Sequence, residues 1–141
     1  MNIFVLDKNP RDAARMHCDK HVPKMILETA QMLSTAHHVY DTPQAPLVYK
    51  KAHLNHPCTI WVRESVDNYS WAFELFRELN NEFVRRRGKK HLSWVKLKEH
   101  LSHTQIQTHL SCNARSIYPQ LWTESILLLK HKLNKTKILK F

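Results

Sequence analysis

Glycine is almost absent from this sequence of 141 residues, which contains only Gly88. That scarcity excludes a glycine-rich phosphate loop and a dinucleotide-binding fingerprint. It also counts against an all-β protein, because tight turns with positive φ favour glycine. The three cysteines are widely spaced and odd in number, which predicts reduced thiols rather than a disulfide framework. No apolar run approaches the roughly 20 residues of a membrane-spanning helix, so we expect no membrane partner.

Acidic residues are also few, with 12 Asp and Glu against 22 Lys and Arg, and the formal net charge is +10. The sequence pI of about 9.7 is typical of proteins that bind a polyanion, most often nucleic acid. A solvated basic surface without such a partner is the alternative. Hydrophobic residues make up 43% of the chain, too many for a disordered protein. We find no linker or repeat and expect one domain over residues 1–141.

Apolar residues recur at helical spacing, which predicts an all-α fold. Asn9-Pro10 is typical of a helix start. The short helix that follows either ends near Asp19 or continues into the next helix with a kink at Pro23. A predicted buried stripe then runs along one face: Val22, Met25, Ile26, Thr29, Met32, Leu33 and Ala36.

A second long pattern begins at His56-Pro57 and reaches Arg87, where Gly88 stands at the position of a left-handed C-cap. Ser93 is the predicted cap of a shorter helix, and residues 124–140 predict a last one. The sequence therefore predicts a single compact all-α domain, built on two long amphipathic helices plus shorter C-terminal helices.

Polar residues gather on the other face of the first long helix. They follow one another at steps of four, three, four and three, which keeps them on one side: His17, His21, Lys24, Glu28 and Gln31. Three interpretations remain open. The face is a solvated surface with a Lys24–Glu28 pair, or His17 and His21 bind zinc in a metal-dependent nuclease, or the cluster performs acid–base chemistry on nucleic acid.

Several parts of the sequence together resemble the pyrimidine-dimer DNA glycosylase and abasic-site lyase family, which includes an enzyme of phage T4. They are Met1-Asn2-Ile3-Phe4 with Ala13-Ala14-Arg15, Asp19-x-His21 with Glu28 seven residues after the histidine, and Asn55-His56-Pro57 with Trp61 and the closing Arg85-Arg86-Arg87-Gly88. The resemblance covers about residues 1–92 and finds nothing from about 103 onward.

The resemblance implies an all-α enzyme that needs no metal and no other cofactor. Its expected substrate is double-stranded DNA containing cyclobutane pyrimidine dimers. In that family a terminal α-amine attacks the sugar C1′, a Schiff base forms, and β-elimination cuts the strand. We also expect a monomer without an obligate protein partner, located in the cytoplasm, or in the host cytoplasm if the source is a phage.

The candidate catalytic residues follow from that resemblance. The nucleophile is the amine of Met1, the amine of Asn2 after removal of Met1, or a lysine such as Lys20 or Lys24. Asn is larger than the residues that usually permit removal of the initiator methionine, so these alternatives stay open. Glu28 is expected to stabilise the sugar cation and to move protons, and His21 to orient Glu28 or a phosphate.

The expected DNA contacts are basic side chains that bind phosphates and one aromatic side chain that stacks on a base. They are His17, Lys20, Lys24, Arg63, Arg85, Arg86, Arg87, Lys89 and Lys90, with Trp94 for stacking. Trp61 and Trp71 are expected in the core. A non-catalytic DNA-binding protein is the remaining alternative.

Overall fold

The computed structural model describes residues 1–102 and 105–110. Within that part the chain forms five α-helices and one 3-10 helix and contains no strand, which confirms the all-α prediction. The helices are α1 (Pro10–Met16), α2 (His21–Val39), α3 (Pro57–Glu64), α4 (Val66–Arg87) and α5 (Leu92–Leu97), with the 3-10 helix at Ala45–Leu47. The helix predicted over 124–140 lies outside the described residues.

Local sequence explains most of the helix ends. The side chain of Asn9 accepts a hydrogen bond from the backbone N–H of Arg11, and Pro10 occupies the first turn of α1, where its missing N–H has no cost. Gly88 ends α4 in the left-handed conformation, at φ 72°, which a residue without Cβ adopts without strain. Both ends are confirmed predictions.

The connection between α1 and α2 decides whether the first short helix ends near Asp19 or continues with a kink at Pro23. The two helices are separate, and α2 begins at His21, which leaves Pro23 in its first turn. Lys20 precedes α2 without a capping side-chain hydrogen bond. The helix therefore does not run on with a kink at Pro23.

The second long pattern is not one helix. It breaks at Ser65, whose backbone is extended (φ −151°, ψ 161°) and whose side chain accepts a hydrogen bond from Asn68 N–H at 3.1 Å. The apolar spacing continues across this break because α3 and α4 both bury their stripe in the same core. At α5, His91 rather than the predicted Ser93 provides the capping side chain.

The core lies between α2 and α4, and the predicted stripe of α2 from Val22 to Ala36 is buried along its length. Helix α1 packs on α4, and α3 packs on both long helices. The extended segment before α1 buries Ile3 and Val5, so it holds the beginning of the chain against the helical core. No helix in the described ranges is long and apolar enough to cross a membrane.

Candidate active site

The beginning of the chain meets α2 at Glu28. The backbone N–H of Asn2 donates a hydrogen bond to Glu28 Oε2 at 2.9 Å, across 26 positions of sequence. The Glu28 side chain is 14% exposed, so its carboxylate is partly desolvated and still reaches solvent. Because Ile3 is buried in the core next to this contact, the position of Asn2 is fixed by packing as well as by the hydrogen bond.

The side chain of Asn2 is held by its own set of contacts. Its Oδ1 accepts the N–H of Ile3 at 3.0 Å and lies 3.6 Å from Cys58 Sγ. Cys58 is buried in the first turn of α3. Burial raises the pKa of the Cys58 thiol, so the thiol is protonated at neutral pH. It donates a hydrogen bond to Asn2 Oδ1.

Lys24 and His21 lie on the same face of α2 as Glu28. Lys24 Nζ is 3.9 Å from Glu28 Oε1, with the lysine side chain 65% exposed. One turn earlier, the ring of His21 stacks on Phe4 at a centroid distance of 5.5 Å. The structure thus brings together three of the predicted catalytic positions, Asn2, Lys24 and Glu28, with Met1 adjacent along the chain. His21 lies on the same face of α2, against Phe4.

His17 does not belong to that face, and its placement there was wrong. It follows the last residue of α1 with extended backbone, because residues 17–20 connect two helices instead of continuing one. Its ring is 3% exposed, with Nδ1 donating to Ala13 O at 2.7 Å. Desolvation lowers its pKa to about 4, so His17 is neutral at pH 7. A buried neutral ring offers no charge to a phosphate.

The zinc alternative needs at least three convergent ligands. Within residues 1–102 and 105–110, no three His, Cys, Asp or Glu side chains are grouped so as to hold a metal ion. The pair of His17 and His21 therefore gains no third ligand from this part of the chain.

The three arginines that end α4 differ in their exposure and in the partners of their guanidinium groups. Arg86 is 18% exposed, and its guanidinium donates to Glu82, to Asp19 and to the carbonyl oxygens of His17 and Arg15 at 2.8–3.1 Å. Arg86 therefore joins α4 to the connection between α1 and α2, which counts against the predicted phosphate contact. Arg85 has an exposed side chain, but its guanidinium is paired with Glu82 at 2.7 Å, which also counts against its predicted phosphate contact. Arg87 is exposed.

The other predicted DNA contacts differ in how available they are. Lys20, Lys89 and Lys90 are exposed. Arg63 donates to Leu54 O at 2.8 Å. Trp94 is half-buried against Phe73 and Phe76, at centroid distances of 6.1 and 5.1 Å, so its ring already has protein neighbours. Of these exposed lysines, Lys89 and Lys90 follow the C-terminal end of α4, and Lys20 precedes α2.

Two residues beside the site, Cys58 and His56, are not among the functional residues that the sequence predicts. His56 caps α3 by accepting the N–H of Cys58 at Nδ1, at 3.1 Å. The charges of the N-terminal amine and of Glu28 both act on its ring. In the sequence, Asn55-His56-Pro57 indicates a helix start and forms part of the resemblance, and no local spacing connects it with Asn2.

Comparison with protein families identifies the class. The sequence model of the family described as pyrimidine dimer DNA glycosylase matches residues 1–96. The chain belongs to this family, and the matched residues include Asn2, Glu28 and the neighbours described above. Comparisons with curated proteins and with solved structures gave no match.

Proposed function

We propose that the protein is a DNA glycosylase with abasic-site lyase activity, which acts on cyclobutane pyrimidine dimers in double-stranded DNA through a Schiff base with a terminal amine. Membership of the pyrimidine dimer DNA glycosylase family supports the substrate. The observation that carries the mechanism is the 2.9 Å contact between Asn2 N and Glu28 Oε2. A nitrogen at the beginning of the chain and a carboxylate are therefore within proton-transfer distance.

The geometry favours Asn2 among the possible nucleophiles. If Met1 is removed, the nitrogen that now donates to Glu28 becomes the terminal amine without any movement of the chain. If Met1 is retained, its amine lies one residue before Asn2, close enough for its charge to act on His56 and Cys58. Lys24, at 3.9 Å from Glu28, is the lysine alternative.

The reaction follows from these groups. Glu28 accepts a proton from the amine, and the neutral nitrogen forms a bond to C1′ while the bond between C1′ and one pyrimidine of the dimer breaks. Glu28 then gives that proton to the released pyrimidine, which stays joined to its neighbour through the cyclobutane ring, and becomes a carboxylate again. Ring opening converts the adduct into an imine. Removal of a C2′ proton, for which Glu28 is the base, expels the 3′ phosphate, and hydrolysis of the imine frees the amine. Glu28 thus acts in both halves of the reaction.

Duplex binding is assigned to the exposed cations Lys20, Arg87, Lys89 and Lys90, which neutralise phosphates. A pyrimidine dimer disturbs stacking and so reduces the free energy needed to open the duplex at the lesion. The protein is proposed to act as a monomer and without a cofactor.

The test is cleavage of a duplex with a single thymine dimer, with EDTA present and borohydride added to reduce any imine. We expect strand cleavage and a covalent protein–DNA adduct. Cleavage that EDTA abolishes would favour the metal-dependent nuclease instead. Binding of the duplex without cleavage or adduct would favour a non-catalytic DNA-binding protein.

A further inference from the structure

His56 carries an additional role beside the amine and Glu28. It is the residue before α3, and its Nδ1 accepts the backbone N–H of Cys58 at 3.1 Å. An N–H donor can only bond to an unprotonated ring nitrogen, so Nδ1 carries no hydrogen and the proton of the neutral ring is on Nε2. The helix cap thereby fixes both the tautomer and the ring orientation.

The same residue is connected with the proposed nucleophile. Cys58, which His56 caps, donates its thiol to Asn2 Oδ1 at 3.6 Å, and Asn2 N donates to Glu28 at 2.9 Å. The ring of His56 is half-buried. Burial lowers its pKa, the positive charge of the N-terminal amine lowers it further, and Glu28 opposes this shift. An uncharged His56 therefore lies within electrostatic reach of both reacting groups.

We propose that His56 is a substrate-binding residue whose Nε2–H donates to a phosphodiester oxygen next to the sugar that the amine attacks. This assignment rests on the function proposed above. An uncharged donor suits the position, since a second cation would compete for Glu28 and hold its carboxylate in an ion pair. His56 binds the phosphate while leaving Glu28 available as a base.

Two substitutions separate the capping role of His56 from its proposed role as a hydrogen-bond donor to phosphate. His56→Ser keeps an N-cap acceptor and removes Nε2–H. His56→Gln keeps an amide N–H that reaches about as far as Nε2, and lacks a good cap. His91 offers a matched control, because its Nδ1 caps α5 by accepting Ser93 N–H at 3.1 Å, and its ring packs on Phe83. His91→Ser makes the same exchange of caps at another helix.

The first measurement is the affinity for a duplex with one tetrahydrofuran abasic analogue, which cannot form an imine, together with the melting temperature of each variant. His56→Ser is expected to bind about tenfold more weakly, the loss of one hydrogen bond to a charged group, with little change in melting temperature. His56→Gln is expected to bind within about threefold of the wild type and to have a lower melting temperature, because the helix cap is weakened. His91→Ser is expected to bind like the wild type.

The outcomes separate this inference from the proposed function. If the wild-type protein cleaves dimer-containing DNA and His56→Ser binds the analogue normally, the role of His56 is overturned and the function stands. Equal weakening in the Ser and Gln variants would also overturn the donor role, since a donor is retained in one of them. A wild-type protein that neither cleaves nor prefers the analogue to undamaged duplex would overturn both.

Discussion

Two glutamates, one on each long helix, show how differently the same side chain is used. Glu82 on α4 is buried and receives Arg85 Nη2 at 2.7 Å and Arg86 Nε at 3.0 Å, with Arg15 at 4.0 Å. Glu28 on α2 receives one backbone N–H at 2.9 Å and a loosely paired, exposed Lys24 at 3.9 Å. One carboxylate is enclosed by guanidinium groups, and the other is not.

The difference separates a structural carboxylate from a reactive one. Hydrogen bonds from Arg85, and then from Arg86, lower the pKa of Glu82, and both of its oxygens accept from guanidinium groups. Such a group holds elements together and is a poor base. Among residues 1–102 and 105–110, Glu28 has no guanidinium partner, and it is not fully buried, so a proton or a sugar cation can approach it.

The largest expected effect is the loss of activity in Glu28→Gln. Cleavage of dimer-containing DNA is expected to fall by about 100-fold or more, the usual contribution of a positioned acid–base group. The fold should persist, because the amide oxygen of Gln can still accept the N–H of Asn2. The measurement is the single-turnover cleavage rate, beside the melting temperature.

Glu82→Gln is the matched control for that variant. We expect the opposite result for this variant, a lower melting temperature with a cleavage rate per folded molecule close to that of the wild type. Loss of chemistry in Glu82→Gln with retention in Glu28→Gln would invert the comparison and refute it.

The second effect is on stability, in Arg86→Ala. Removing this guanidinium takes one positive charge away from the buried Glu82. It also leaves three oxygen acceptors without this donor, the carbonyls of Arg15 and His17 and the side chain of Asp19, so we expect a loss of about 3 kcal/mol in unfolding free energy. Urea denaturation measures it. Arg87→Ala is the control, with a loss of at most about 1 kcal/mol, since Arg87 is exposed and lies over the ring of Phe83. Equal losses in the two variants would contradict the inward role of Arg86.

The third effect is the pH dependence of stability. Desolvation lowers the pKa of His17 and of His37 to about 4 in the folded protein, while the unfolded chain has ordinary histidines at about 6.5. Below pH 6.5 the unfolded state binds more protons, so stability falls as the pH drops toward 4. Between pH 6.5 and 5 the expected loss is about 2 kcal/mol for each ring.

Urea titrations at several pH values measure this slope, with His37→Gln as the comparison. His37 contacts Thr42 Oγ1 at 2.7 Å and Tyr69 OH at 2.9 Å, so the variant is less stable at pH 7 but should lose less on acidification. A slope that this substitution leaves unchanged would show that His37 does not titrate as its burial requires.

The smallest effect is on DNA affinity, through the exposed cations after α4. Lys89→Ala is expected to weaken duplex binding a few-fold and to lower the salt dependence of log K by about 0.9, as one lost phosphate contact does. Arg77→Ala is the control, because Arg77 is already paired with Glu74 and Glu78. A salt slope that changes in the control and not in Lys89→Ala would move the DNA surface elsewhere.

Helical periodicity was sufficient to predict the all-α class, the buried face of α2 and the end of α4 at Gly88. It was also sufficient to place Lys24 and Glu28 on one polar face, because both lie within a single helix. These features depend on contacts between near neighbours in sequence, which a repeat of 3.6 residues records.

Periodicity failed where the chain leaves the helix without losing the spacing. Residues 17–20 keep a step of four between His17 and His21 while forming a connection, and the apolar stripe continues across the break at Ser65. The contact of Cys58 with Asn2 spans 56 positions, so no local pattern reveals it. The contact of Glu82 with Arg15, which lies on α1, is likewise between residues far apart in sequence.

The most direct test of the central claim is to map the DNA-bound residue. Wild-type protein is trapped with borohydride on dimer-containing DNA and digested, and the modified peptide is sequenced by mass spectrometry. We predict that the sugar remnant is attached to the α-amine at the beginning of the chain, on Asn2 or, if Met1 is retained, on Met1. Attachment to a lysine side chain, or no attachment by a protein that cleaves the lesion, would contradict the account.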